Sequence, residues 1–246
     1  MQKKVGFVHV AILAVILSAG LIGAAYMLSR FFIKLEKDKL LCVKGFAKKI
    51  VKSDIGYFEF TIRSKSNSTP ADCYMRLNKA MALAIARLLK DGFKPEEISR
   101  GNIQQSEVYK KIKGKRTNSI LYHTLNQSVR VKSKNVDLIK KKFRNLNSLL
   151  AKNINISVSS PQYFISDLNE YKIELLAKAT ENARLRAETI AGKSGAKIGK
   201  IVWAQQGVIQ ITEPLSTETS CYGLYDTDSL EKVIKIVVTI KYTVDK

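Results

Sequence analysis

The chain has 246 residues, with 42 Lys and Arg against 21 Asp and Glu, a formal net charge of +21, 46% hydrophobic residues and only four prolines. That is the composition of a folded protein with room for one large domain or two small ones, and it excludes a low-complexity or collagen-like chain. Three cysteines, Cys42, Cys73 and Cys221, are too few and too scattered for a disulfide scaffold or a cysteine metal site.

Met1 to Lys4 is a short basic start. From Val5 to Ser29 no acidic or basic residue occurs apart from His9, a run longer than the roughly 20 residues that cross a bilayer as a helix. It also exceeds the core of a cleavable signal peptide, about 7–15 residues. Ala24-Ala25 offers no clear small-x-small cleavage site with a polar flank. The expectation is an uncleaved transmembrane signal anchor over 5–29, a cytoplasmic tip at 1–4, a charged juxtamembrane spacer at 30–39 and one domain over 40–246. Lys3 and Lys4 favour a cytoplasmic N-terminus, whereas Arg30, Lys34, Lys37 and Lys39 on the other side oppose it. His9 reads as a polar residue tolerated near the end of the membrane segment.

Strands are predicted at Leu40–Phe46 and Ile55–Ser66, where Phe58, Phe60 and Ile62 alternate with Tyr57, Glu59, Thr61 and Arg63. Thr69-Pro70 with Asp72 opens a helix whose inner face is Leu77, Met81, Ala84, Ile85, Leu88 and Leu89, and Gly92 closes it. Cys73 falls in phase with that face and reads as a small buried hydrophobe, as does Cys42 in the run Leu40–Val43. A turn over Phe93–Glu97 precedes two strands, 98–112 and 119–132, joined at Lys113-Gly114-Lys115-Arg116. A helix from Asn135 to Asn153 turns Ile139, Phe143, Leu146 and Leu150 inward, and a strand follows over Ile154–Ile165.

The stretch Ser166–Gly199 predicts a long helix leading into a strand. Leu168, Tyr171, Leu175, Ala179, Ala183, Ala187 and Ala191 lie on one face. Asp167 with Glu170 suits its start, and Gly192 or Gly195 its end. The all-alanine half of that face lets a neighbouring backbone come close. Strands are expected at Lys200–Ile211 and Val233–Val244, the second with Ile234, Ile236, Val238, Ile240 and Tyr242 on one side. Strand pairs alternate with single helices, so the fold class is α+β, in two layers with helices on one sheet face.

The spacing of Ala179, Ala183-Arg184, Ala187-Glu188 and Ala191, followed by Gly195 and Gly199, resembles the SIMPL-domain family. So does Val43-Lys44-Gly45-Phe46-Ala47 followed by Ser53-Asp54-Ile55, and the resemblance spans Cys42 to Val244. It implies an α+β domain outside the cytoplasm of a bacterial cell, a tendency to oligomerise and a link to oxidative-stress defence. It implies no reaction. Together with the anchor it places the chain in the inner membrane, single-pass, with the C-terminal domain in the periplasm.

No nucleophile elbow, P-loop, dinucleotide glycine motif or framed carboxylate pair occurs. No catalytic, cofactor-binding or metal residue is therefore expected, and no enzyme. His123, in phase with Leu121, Leu125 and Val129, reads as a hydrogen-bonded residue at the core edge. The charges are more informative. Lys110, Lys111, Lys113, Lys115 and Arg116 cluster at a hairpin tip. Ile201 to Glu231 holds no Lys or Arg but carries Glu213, Glu218, Asp226 and Asp228. Its central part, the acidic loop 212–229, is long for a loop and contains Tyr222, Leu224 and Tyr225 with no evident core to join. The expectation is that this loop meets the basic hairpin of a second copy, a heterologous contact that can close into a ring; the alternative is a solvated loop and solvated lysines. Two other readings stand beside this one. A polybasic module could hold anionic lipid or another acidic envelope polymer, and nucleic acid is disfavoured because aromatic residues do not interleave with the lysines. A thiol-dependent redox protein would use Cys221, the one cysteine in a polar loop, although no Lys, Arg or second cysteine stands near it in the sequence.

Overall fold

The structure, a computed structural model, describes residues 2–37 and 40–245, with side chains described for 12–30 and 40–245. The side chains of Lys3, Lys4, His9 and the spacer beyond Arg30 lie outside that set. In chain order the elements are α1 (Gln2–Lys37), β1 (Leu40–Lys52), β2 (Ile55–Ser66), α2 (Pro70–Asp91), β3 (Ile98–Ile112), β4 (Lys115–Ser133), α3 (Val136–Lys142), β5 (Asn155–Val158), β6 (Gln162–Phe164), α4 (Leu168–Lys193), β7 (Lys197–Gln206), β8 (Gln210–Thr212), β9 (Leu224–Tyr225) and β10 (Glu231–Asp245). The fold is α+β with two sheets. In α1 the segment Ile12–Arg30 is apolar and long enough to cross a bilayer, and it is not buried by protein.

Contacts divide the chain into two compact units. The larger comprises Lys48–Leu175 and Val208–Lys235. Its sheet runs β3-β4-β2-β5, with β6 also on β2. Every pairing is antiparallel, from Gly56↔Ser133 to Ser66↔His123 between β2 and β4. Alternation in β2 buries Phe58, Phe60 and Ile62 and leaves Glu59, Thr61 and Arg63 on the other side, as a sheet with one covered face requires. α2 lies against this face with Cys73, Leu77, Met81, Ala84 and Leu88 buried. The Thr69 hydroxyl accepts the Asp72 N–H at 3.2 Å, and Gly92 closes the helix at φ 101°. Leu89, expected inside, is 44% exposed, because the covered stripe is narrower than the apolar pattern. Phe93, expected in a turn, is buried against Phe58, with ring centroids 6.0 Å apart.

The expected helix 135–153 changes character midway: α3 ends at Lys142, and Phe143–Lys152 is a 3-10 helix. A 3-10 turn takes three residues, so Phe143, Leu146 and Leu149 share a face. Leu149 is 4% exposed, whereas Leu150, expected inside on a 3.6-residue period, is 53% exposed. The strand expected over 154–165 is two short strands separated by Ser159–Pro161, where proline removes a ladder donor. Likewise the strand expected over 200–211 divides into β7 and β8 around Gly207.

The smaller unit comprises Leu176–Gly207 with the residues up to Ala47 and from Ile236 on. Here β7 pairs antiparallel with β10 from Val238↔Gln206 to Asp245↔Lys197, and β1 lies beside β10. The alanine face of α4 packs onto this sheet: Ala179, Ala183 and Ala187 are fully buried and Ala191 is 2% exposed. Gly45 explains that stripe. A Cβ there would stand 2.2 Å from the Ala179 carbonyl oxygen and 2.5 Å from the Ala183 nitrogen, so backbone meets backbone. The Asn182 Oδ1 accepts the Phe46 N–H at 3.2 Å, and Arg186 donates to the Lys44 carbonyl at 3.2 Å. At its ends, α4 is capped by Asp167, which accepts the Glu170 N–H at 3.3 Å, and released at Gly195 with φ 73°. Cys42, expected inside, is exposed, since on β1 it is Val43, Gly45 and Ala47 that turn inward.

Candidate assembly interface

Both charged regions belong to the larger unit. Among the described residues, beyond Ser66↔His123 the strands β3 and β4 pair only with each other, so Val108–Ile112 and Lys115–Tyr122 form a two-stranded ribbon. Its turn is Lys113-Gly114, at φ 47° and φ 78°. Two successive positive φ values define the tight turn whose twist matches the flanking strands, and the ribbon therefore starts at Lys115, four residues earlier than the pattern predicts. Lys110, Lys111, Lys113, Lys115 and Arg116 are all exposed. None forms an ion pair among the described residues. The ribbon also brings aromatic rings to the cations, which linear spacing does not reveal: the Arg116 guanidinium stands 3.9 Å from the Tyr109 ring centre, and Lys65 is 3.9 Å from that of Tyr122. Ile112 is 65% exposed at the tip. His123, at the ribbon's base, has its Nδ1 3.7 Å from Glu107 and without a hydrogen-bond partner.

The acidic loop is anchored at its far end. β9 runs parallel to β8, Tyr225 stacks on Phe164 with centroids 6.4 Å apart, and the Tyr163 N–H donates to the Thr227 carbonyl at 2.7 Å. Leu224 and Tyr225 thus have a place in the fold, whereas Tyr222 is 98% exposed. Asp226 is an internal ligand: it accepts the Ser229 hydroxyl, the Asp228 N–H at 2.8 Å and the Lys232 ammonium at 3.5 Å. Lys232 is fully buried and also donates to the Ser229 carbonyl at 2.7 Å. Burial pushes its ammonium below the ordinary lysine value, and the Asp226 carboxylate opposes that shift. Sequence reasoning missed this lysine, which stands on the buried side of β10 in phase with Ile234 and Ile236; the alternation itself was the available signal. Glu213, Glu218, Asp226 and Asp228 line a hollow of about 330 Å³ with Ile211, Leu224 and Tyr225. The carboxylates of Glu213, Glu218 and Asp228 make no ion pair among the described residues, and those residues contain no group of His, Cys, Asp and Glu able to hold a metal ion. Cys221 is exposed in the same loop.

The described residues thus comprise an apolar N-terminal helix ahead of an α+β chain with two sheets, an alanine-faced helix and a close glycine contact. The family described as "SIMPL: Protein of unknown function (DUF541)" matches residues 41–233. The chain belongs to the SIMPL family. No curated protein matches it. Among solved structures it is similar to the de novo designed protein Foldit4, at 9% identity over 42% of this chain and 93% of that one, TM-score 0.24. It is also similar to hydantoinase/carbamoylase family amidases from Burkholderia phymatum (14% identity, 54% of this chain and 35% of that one, TM-score 0.28) and Burkholderia ambifaria (15%, 54% and 34%, TM-score 0.27). The chain spans about a third of the length of these amidases, and likeness this slight carries no argument.

Proposed function

We propose that the protein is a non-enzymatic assembly module of the bacterial envelope, held in the inner membrane by α1 with its remaining residues in the periplasm. Copies join head to tail: the basic ribbon of one enters the acidic hollow of the next. The observation that carries this is complementarity within one unit: five cations at a ribbon tip, and around a hollow the carboxylates of Glu213, Glu218 and Asp228, none of them in an ion pair among the described residues, with only Asp226 paired internally, to Lys232. Such complementarity sets register and partner choice more than it sets affinity. Around a closed ring the anchors would multiply weak membrane contacts into avidity. A role in stress defence follows from the family's associations and from no residue described above.

The test is the mass of the full chain in neutral detergent by light scattering, at low and high salt. A discrete assembly that dissociates in salt is expected. Reversing Lys113, Lys115 and Arg116 to Glu should dissolve it, and adding Glu213→Lys, Glu218→Lys and Asp228→Lys should restore it. An assembly indifferent to the first reversal would sink the ribbon-in-hollow contact. A second reading then takes over. Among the described residues β7 pairs only with β10, and its Ile201, Val202 and Trp203 are 54%, 54% and 41% exposed; an apolar strand edge of that kind invites another strand, and its assembly would withstand salt.

A further inference from the structure

The smaller unit carries both the membrane segment and a sheet with one uncovered face. α4 covers the other face. Toward it point Val43, Gly45 and Ala47 of β1 and Ile240 and Tyr242 of β10, all buried. Alternation therefore puts Leu40, Cys42, Lys44 and Phe46 of β1, and Val237 and Lys241 of β10, on the face away from α4. β7 adds Trp203 to it: Trp203 is the register partner of Lys241, whose ammonium stands 5.2 Å from the ring centre. Leu40, Phe46 and Trp203 are 47%, 41% and 41% exposed, and Cys42 and Lys44 are exposed as well.

The chemistry of this face suits a bilayer surface. Each strand flanking β10 pairs an exposed ring with a cation: Trp203 with Lys241, and Phe46 with Arg186, whose guanidinium is 5.1 Å from the ring centre at the edge of β1. Amphipathic rings and long cationic side chains settle at the headgroup level, apolar body inward and charged tip toward phosphate. The acids of the unit lie mostly elsewhere. Glu181 and Glu188 stand on α4, in the other layer. Among the described residues, Asp245 at the end of β10 is the one carboxylate that alternation brings to this face. A second, independent observation is the tether. Ile12–Arg30 is long and apolar enough to cross a bilayer, and from Arg30 to Leu40, where β1 begins, the chain can extend no more than roughly 35 Å. A surface held that close to a bilayer meets it at high effective concentration, so contacts too weak to hold a free domain are populated.

We infer that this face of the smaller unit lies on the bilayer that α1 enters, with Phe46 and Trp203 at the level of the lipid headgroups and Lys44, Lys241 and Arg186 against anionic ones. The inference rests on reading α1 as an anchor, and it is independent of whether the ribbon joins copies.

Trp203 is the only tryptophan of the chain, so its emission reports on this face. The experiment reconstitutes the full chain in vesicles of phosphatidylcholine and phosphatidylglycerol, with and without bromine on the acyl chains just below the headgroup. Flotation with the vesicles and quenching of Trp203 by the brominated lipid are expected, with weaker quenching at high salt and in phosphatidylcholine alone. Lys44→Glu, on β1 and separated from Trp203 by β10, should lower the ratio of docked to free face about tenfold or more. Lys193→Glu on α4 should leave it unchanged. Both lysines are exposed, and an unaltered unfolding midpoint in neutral detergent confirms that both variants fold. A chain that floats while brominated lipid leaves its emission untouched overturns the inference and keeps the anchor; a chain that does not float overturns both. Emission shifted to the blue without bromine quenching, and restored on dilution, assigns the face to a second copy and overturns lipid as its occupant. Quenching as strong in phosphatidylcholine as with phosphatidylglycerol overturns the part given to the cations.

Discussion

At Gly45 a single missing methyl determines how a helix meets a sheet. Its absent Cβ would collide with the backbone of Ala179 and Ala183, and backbone, unlike the end of a flexible side chain, cannot give way locally. Gly45→Ala should therefore cost about 3 kcal/mol by overpacking. Gly192 is the counter-case. It sits in α4, exposed, with nothing within 4 Å of an added Cβ, and in a helix glycine is worse than alanine by about 0.5–1 kcal/mol. Gly192→Ala should stabilise by that amount. Urea denaturation of the two variants checks both signs, and a shared sign would show that the close approach of α4 to β1 is not what the glycine serves. The pattern Val43–Ala47 and the alanine stripe were both legible in the chain. That they touch was not, because nothing local to either stretch encodes its partner.

The element most dependent on one ion pair is the entry to β10. Lys232 is fully buried and faces Asp226, which is also held by Ser229. Asp226→Asn leaves the buried ammonium without its carboxylate partner, and breaking a buried pair in this way costs about 3 kcal/mol or more. The pH dependence has a definite sign. Burial places the folded pKa of Lys232 below its ordinary 10.5, so between the two values the unfolded chain binds more protons and stability rises with pH. Removing the Asp226 charge lowers the folded pKa further and widens that window downward. The deficit of the variant should be greatest near neutral pH and shrink as pH climbs toward 10.5; urea unfolding across that range measures it, and a pH-independent deficit would contradict it. Period errors elsewhere have the same scale. Leu150 for Leu149 is what a 3.6-residue reading must give when the helix tightens to three residues per turn, and the hydrophobic pattern Phe143, Leu146, Leu149 carried the correction.

For the whole molecule, the tether is the testable feature. If α1 is an anchor, the chain made in bacteria stays in the membrane fraction after an alkaline wash and its intact mass includes Met1-Gln2-Lys3-Lys4 or lacks only the initiator. Release as a shorter soluble chain beginning after Ala25 would make the same helix a signal sequence. What the sequence determined by itself was the kind of the long, strongly periodic elements and the family. Periodicity of 2 and 3.6 reports which face of a strand or helix is covered, and β2, α2, α4 and β10 carry it over many residues. Their caps at Thr69, Gly92, Asp167 and Gly195 are local chemistry. Tertiary structure alone decided the rest. Two compact units each gather segments distant in the chain, and β2 loses its β5 neighbour beyond Arg63 because β5 begins only at Asn155. Gly45 meets Ala179 and Ala183 through packing of a helix on a sheet, and long-range convergence of that kind has no signature in residue spacing.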